Sequence, residues 1–265
     1  MKFAGNILKM KTSLKNGLVD YFLPIGNDLI YVNELIGKNI KFNFDGVINC
    51  INCGKKINKT YFQGYCYNCF VTLPQTDECI IHPELCKAHL GISRDMEWAK
   101  QNCLQPHYVY LALSSDVKVG VTRASQVPTR WIDQGATQAI KFAQTPNRYT
   151  AGLIEIELKK NMRDKTNWRK MLSNQIAKDV DLIAEKQKAC SLLSNELKQF
   201  ISNDDNVTTI DYPVIKYPEK VKSLSFDKQS EIDKKLIGIK GQYLIFDDST
   251  VLNIRKHNGY FVEVE

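Results

Sequence analysis

The chain lacks any apolar run approaching the roughly 20 residues that a membrane-spanning helix requires. Its opening, Met1-Lys2-Phe3-Ala4-Gly5, is not followed by the long apolar stretch of a secretory signal. Those two absences argue against a spanning segment and against export. It also shows no internal repeat and no low-complexity tract, which excludes a repeat array. Without an export signal, the eight cysteines read as metal ligands and free thiols, not as disulfides. The expected location is therefore cytoplasmic, with no membrane partner.

What is present begins with two cysteine doublets, Cys50-Ile-Asn-Cys53 and Cys66-Tyr-Asn-Cys69. Each doublet turns two thiolates toward one point, and two such turns complete a tetrahedral four-sulfur site whose usual occupant is Zn2+. Gly54 follows the first doublet and Gly64 precedes the second, as tight knuckle turns require. With all four positions filled by protein the site is closed, hence structural. A second group follows: Cys79, Cys86, His89 and Cys103 are the preferred set for another zinc ion, with His82 or His107 as substitutes. Its spacing is irregular, and the competing reading is buried cysteines beside polar histidines.

The 265 residues suffice for two or three small domains, and 43% hydrophobic with 25% charged residues is ordinary for a globular chain. The net charge of +7 is localised. Residues 100–170 hold twelve lysines and arginines against five acids, which accounts for the whole excess. A basic segment inside a near-neutral chain points to a polyanionic partner, most simply nucleic acid, DNA or RNA.

Periodicity divides the chain into an N-terminal β module (1–49), a zinc-binding module (50–106), a core (107–170), a helical segment (171–201), a linker (202–234) and a C-terminal β unit (235–265). In the core, Tyr108–Leu113 and Val117–Val121 flank a Ser-Ser-Asp turn and predict a hairpin. Pro128 to Gln134 suits a first helical turn, Ala136 to Phe142 a strand, and Asn147 caps a helix through Leu158. An apolar stripe through Leu172, Ile176, Val180 and Ile183, continued by Cys190, Leu193, Leu197 and Phe200, predicts helix over 168–201. At the C-terminus, Asn258-Gly259 signals a hairpin turn before a strand from Tyr260 to Val264. The expected fold class is α+β.

Tyr108-Val109-Tyr110 and Lys118-Val119-Gly120 resemble the paired strands of the GIY-YIG nuclease superfamily. Thr122, then Arg130 ten residues after Gly120, then Glu155 (with Glu157 as rival) follow in that superfamily's order. Asn167 sits where such nucleases carry a late asparagine. More of the chain resembles an uncharacterised bacterial family, domain-of-unknown-function family 2797 (DUF2797). The matching stretches include Cys-Ile-Asn-Cys-Gly-Lys, Gly-Tyr-Cys-Tyr-Asn-Cys-Phe, Pro-Glu-Leu-Cys, Lys-Val-Gly-Val-Thr-Arg, Arg-Trp-Ile-Asp-Gln-Gly-Ala, Asp-Lys-Thr-Asn-Trp and Gly-Ile-Lys-Gly-Gln-Tyr-Leu.

These resemblances imply a GIY-YIG-like core in which Glu155 holds a single divalent ion, Mg2+ or Mn2+. They make Arg130 the stabiliser of transition-state charge and Tyr110 the group that orients or activates water. Lys118 departs from the pattern, standing where the second-strand tyrosine belongs. A protonated lysine cannot take a proton, but it can hold a phosphate as a point charge. With Arg123, Arg130, Arg148, Lys165 and Asn167 it makes up the expected nucleic-acid contacts. Each residue also has a plainer role available: Glu155 can pair with Lys159 four residues on, and Gly135 can simply end a helix. The leading expectation is a zinc-containing nucleic-acid-binding protein, with divalent-metal-dependent phosphodiester cleavage as its candidate activity. The alternatives are a non-catalytic zinc-dependent binder of DNA or RNA and a protein-interaction adaptor.

Overall fold

A computed structural model describes residues 2–265. The chain divides into two units. The first takes the chain up to Val71, with Leu172–Asn174 and Asp211–Glu265; the second comprises Thr72–Met171 and Gln175–Ile210. The α+β class holds, with small antiparallel sheets and short helices throughout. No helix among the described residues is long and apolar enough to cross a membrane.

In the first unit the two ends of the chain share one sheet. Tyr260–Val264 lies between Phe3–Asn6 and Asn39–Asn49, antiparallel to both. Asn39–Asn49 then pairs with Glu231–Lys240, which leads through Tyr243–Phe246 to Thr250–Asn253. The sequence pattern sets 1–49 and 235–265 apart because periodicity reports each strand's faces and not its partner. The Asn258-Gly259 hairpin is not formed. The amide of Gly259 donates to Ile7 O and its carbonyl accepts from Asn49 N, so the turn feeds Tyr260–Val264 away from Thr250–Asn253. Lys222–Leu224 adds a parallel strand beside Thr250–Asn253, Lys56–Ile57 pairs with the end of Asn39–Asn49, and Lys11–Lys15, Leu18–Ile25 and Asp28–Tyr31 form a separate meander.

In the second unit, His107–Leu113 is the central strand. It pairs antiparallel with Val117–Arg123 on one side and Gln138–Thr145 on the other. The expected hairpin is present, and Asn147 caps the following helix, Arg148–Lys159, by accepting from Thr150 N. Val109, Leu111 and Val119 pack with Ile154 and Leu158 of that helix and with Leu182 and Ala189. The continuous helix over 168–201 is replaced by three short ones, Trp168–Leu172, Leu182–Ser191 and Asn195–Lys198. Asn174 and Asp179 adopt positive φ, and Asp181 starts the second helix afresh by accepting from Ile183 and Ala184 amides. Leu182 and not Ile183 is therefore the buried residue. The expected linker also contributes structure: Thr208–Thr209 pairs with Gln138–Ala139.

Candidate functional site

The first cysteine cluster lies in the first unit. The sulfurs of Cys50, Cys53, Cys66 and Cys69 are all within 4.8 Å of one another. Cys53 and Cys66 approach to 3.9 Å, close to the ~3.8 Å that two thiolates on one tetrahedral zinc would show at 2.3 Å bond lengths. All eight cysteines are free. The knuckle is locally built: Gly54, at φ +70°, donates to Cys50 O, and the Cys69 amide donates to Cys66 Sγ. Burial opposes ionisation of Cys50, but the backbone amides of Cys53, Cys66 and Asn52 outweigh it and pull the thiol down to about 6. Four convergent thiols, one of them already favouring thiolate, fit a metal ion.

The second cluster, in the second unit, holds three thiols: Cys79, Cys86 and Cys103, all buried and within 4.8 Å of one another. His89 is outside that set; its ring stacks on Tyr149 at 4.2 Å. His82 is turned to Glu84 at 3.3 Å. His107 is buried, its Nδ1 held by Gln105 O at 2.6 Å and its Nε2 without a hydrogen bond. Burial, with help from Arg148 and Arg123, pushes its imidazole down to about 4, so it is neutral.

The hairpin gathers the remaining candidates. Tyr110 faces Gly120 across the ladder and Ala112 faces Lys118, so Tyr110 and Lys118 share one face of the sheet. A side chain at Gly120 would strike the Tyr110 hydroxyl at 2.6 Å, which explains glycine there. Tyr110 is fully buried, accepts from Gln134 Nε2 at 2.5 Å and packs edge-on against Trp131. Burial raises its pKa against the opposing pull of Arg130 and Gln134, so it is protonated near neutrality.

Lys118 is only 6% exposed, yet its amine makes no hydrogen bond or ion pair with any described residue. Burial, then repulsion from Arg130, brings it down to about 8, with Asp164 and Glu155 pulling the other way. Glu155 is 7% exposed and pairs with Lys159 at 3.2 Å, as helix spacing allows; Lys159 also reaches Asp164 at 3.7 Å. Burial raises the Glu155 pKa, Lys159 opposes, and Glu84 and Asp164 add to the rise. Glu157 is engaged elsewhere, accepting from Ser194 N. Arg130 and Glu155 thus lie within electrostatic reach of both Tyr110 and Lys118.

The expected nucleic-acid contacts divide. Lys165 and Asn167 are exposed and Arg130 is half-buried. Arg148 is buried, its guanidinium on the carbonyls of Cys79 and Asn102, and Arg123 donates to Asn102 Oδ1. Those two arginines hold the cysteine segment against the core.

The family model described as "Protein of unknown function (DUF2797)" matches residues 37–262. The chain belongs to this family. No curated protein and no solved structure matches it. The DUF2797 match runs through both cysteine clusters and the whole Tyr110–Glu155 site.

The sequence alone leaves Glu84, Gln134, Lys159 and Asp164 unremarked as site residues. Glu84 is brought in because the Pro83–Leu85 turn rides directly on Gly152 of the Glu155 helix. A side chain at Gly152 would overlap the backbone of Pro83 and Glu84. A lone glycine in a helix is the one signal that announces such an approach.

Proposed function

We propose that this chain is a zinc-containing nucleic-acid-binding protein whose Tyr110–Lys118–Arg130–Glu155 site acts on a phosphodiester bond. The observation that carries the reading is Lys118: a nearly buried, unpartnered amine beside Arg130, Tyr110 and Glu155. Two cations held together with no anion pairing the lysine suit a phosphate group. Lys118 and Arg130 bind and orient the phosphate, and Lys165 and Asn167 extend the contact along the backbone. Tyr110, neutral and fixed by Gln134, presents a positioned hydroxyl.

Glu155 would hold a divalent ion, which would supply Lewis-acid stabilisation of charge on the phosphate. Among the described residues no trio of carboxylates converges there, so water and phosphate oxygens would complete the shell, as is usual for Mg2+. The buried Glu155 Oε2 pairs with Lys159 Nζ at 3.2 Å, so Lys159 would move aside for such an ion to bind. Cys50, Cys53, Cys66 and Cys69 would hold structural Zn2+.

A second reading, binding without cleavage, is favoured by one observation. The Tyr110 hydroxyl is sealed from solvent and Glu155 is already paired with Lys159. The test is incubation with single-stranded, duplex and branched DNA and RNA in Mg2+ or Mn2+, beside Glu155→Gln and Arg130→Ala. Cuts lost in both variants support the cleaving enzyme. Intact substrates with salt-sensitive retention support the binder, and no retention at low salt leaves the adaptor.

A further inference from the structure

The second cysteine cluster has three thiols where the first has four. A cavity of about 230 Å3 is lined by all three thiol-bearing residues, Cys79, Cys86 and Cys103. Lys87, Arg94 and Trp98 form other parts of its wall. Neither His89 nor His107 lines it: the one stacks on Tyr149, the other bonds Gln105 O. The three sulfurs lie within 4.8 Å of one another, a spacing suited to one ion shared by all three. The arrangement is stiff. Arg148 donates to the carbonyls of Cys79 and Asn102, its own amide donates to Cys103 O, and the Pro83–Leu85 turn is seated on Gly152.

We propose that Cys79, Cys86 and Cys103 hold a second zinc ion as three thiolates, with the fourth position facing the cavity and taking an exogenous small thiol. A tetrahedral ion with three protein ligands keeps one position for water or another ligand, which is how zinc sites that act on molecules differ from those that only brace a fold. The sulfur-rich ligand set favours a soft fourth ligand over a hard one. The cavity is smaller than the ~300 Å3 at which drug-sized pockets begin, so the ligand is a molecule of a few heavy atoms. In the exchange a zinc-bound water leaves, the thiol gives its proton to solvent, and its sulfur takes the vacated position. No electron changes hands. Lys87 and Arg94 in the cavity wall offset the added negative charge, although Arg94 also pairs with Asp77 at 3.1 Å.

The test replaces zinc by Co2+ in the full chain and follows the cobalt–thiolate absorption during titration with 2-mercaptoethanol. Failure here leaves the phosphodiester reading untouched, because nothing in the readout depends on cleavage. The expected result is two cobalt ions per chain, one for each cluster. The bands of one ion shift saturably with thiol while those of the other stay fixed. Cys103→Ser should remove the thiol response, and His89→Ala and His107→Ala should respond as the parent does. The proposal is overturned if the parent binds a single ion, or if its bands ignore the thiol. It is equally overturned if either histidine variant loses the second ion or first becomes thiol-sensitive, since an imidazole then closes the site. The histidine variants leave all three thiols in place, so the outcome does not hang on a cysteine variant that fails to fold.

Discussion

Each unit carries one cysteine cluster and one nearly buried lysine on a strand. In the first unit both are fully partnered. The cluster has four thiols, and Lys240 donates to Asn174 Oδ1 at 3.1 Å and lies over the rings of Tyr212 and Tyr217 at 5.2 and 5.1 Å. In the second unit both are left incomplete. The cluster has three thiols beside a cavity, and the Lys118 amine has no partner. Burial brings both lysines to about 8, so desolvation is similar and only the surroundings differ. An amine enclosed by an amide oxygen and two aromatic faces is satisfied and structural. The Lys118 amine has no such enclosure: Arg130 repels it while Asp164 and Glu155 attract it, and none of them pairs with it.

The largest effect tests the closed cluster. Cys66→Ser, or a chelator, should unfold the Cys50–Phe70 segment, since structural zinc in small modules contributes on the order of 10 kcal/mol. Hydrogen exchange should show protection lost there while the His107–Leu113 strand stays protected. Loss beginning in the second unit would reverse the contrast.

Next, Gly152→Val forces the helix off the Pro83–Glu84 backbone and should cost about 3 kcal/mol by overpacking, read in denaturant unfolding. Gly54→Ala meets no atom within 4 Å and should cost only its left-handed φ, about 1 kcal/mol. Comparable losses would mean that the second cluster is built as locally as the first.

Then come the lysines. The folded-state pKa of Lys118 lies below its ordinary 10.5, so between pH 8 and 10.5 the unfolded chain holds the extra proton. Stability therefore rises with pH through that window, and the full penalty applies below pH 8. Lys118→Met should stabilise the chain by roughly 2 kcal/mol at pH 7 and flatten that rise. Lys240→Met strands the Asn174 oxygen and should gain less or lose. Equal gains would erase the distinction between them.

The smallest effect is the helix cap: Asn147→Ala should cost about 1 kcal/mol in thermal or denaturant unfolding.

Much of this was legible in the residues. The two doublets name their own cluster because two residues separate the cysteines of each pair and the chain between the pairs is short. The hairpin and the Asn147 cap follow from alternation and from residue chemistry, while the Tyr110–Gly120 register comes from the structure. The ligand set of the second cluster was not legible, since Cys79, Cys86 and Cys103 meet only through packing on the Arg148–Lys159 helix. Spacing proposes His89, but stacking on Tyr149 takes it elsewhere. Arg148 reads as a phosphate contact from its charge, and burial turns it to carbonyls.

By itself the sequence determined the membership of the four-cysteine cluster, the basic character of residues 100–170 and the elements of the hairpin core. Those depend on covalent spacing and intrinsic preference. Tertiary structure alone decided that the two ends of the chain share a sheet and that Lys240 is satisfied while Lys118 is not. It also decided that the second cysteine cluster gathers three thiols beside a cavity. Those outcomes depend on which distant segments exclude water from a given atom, and neither spacing nor period carries that information.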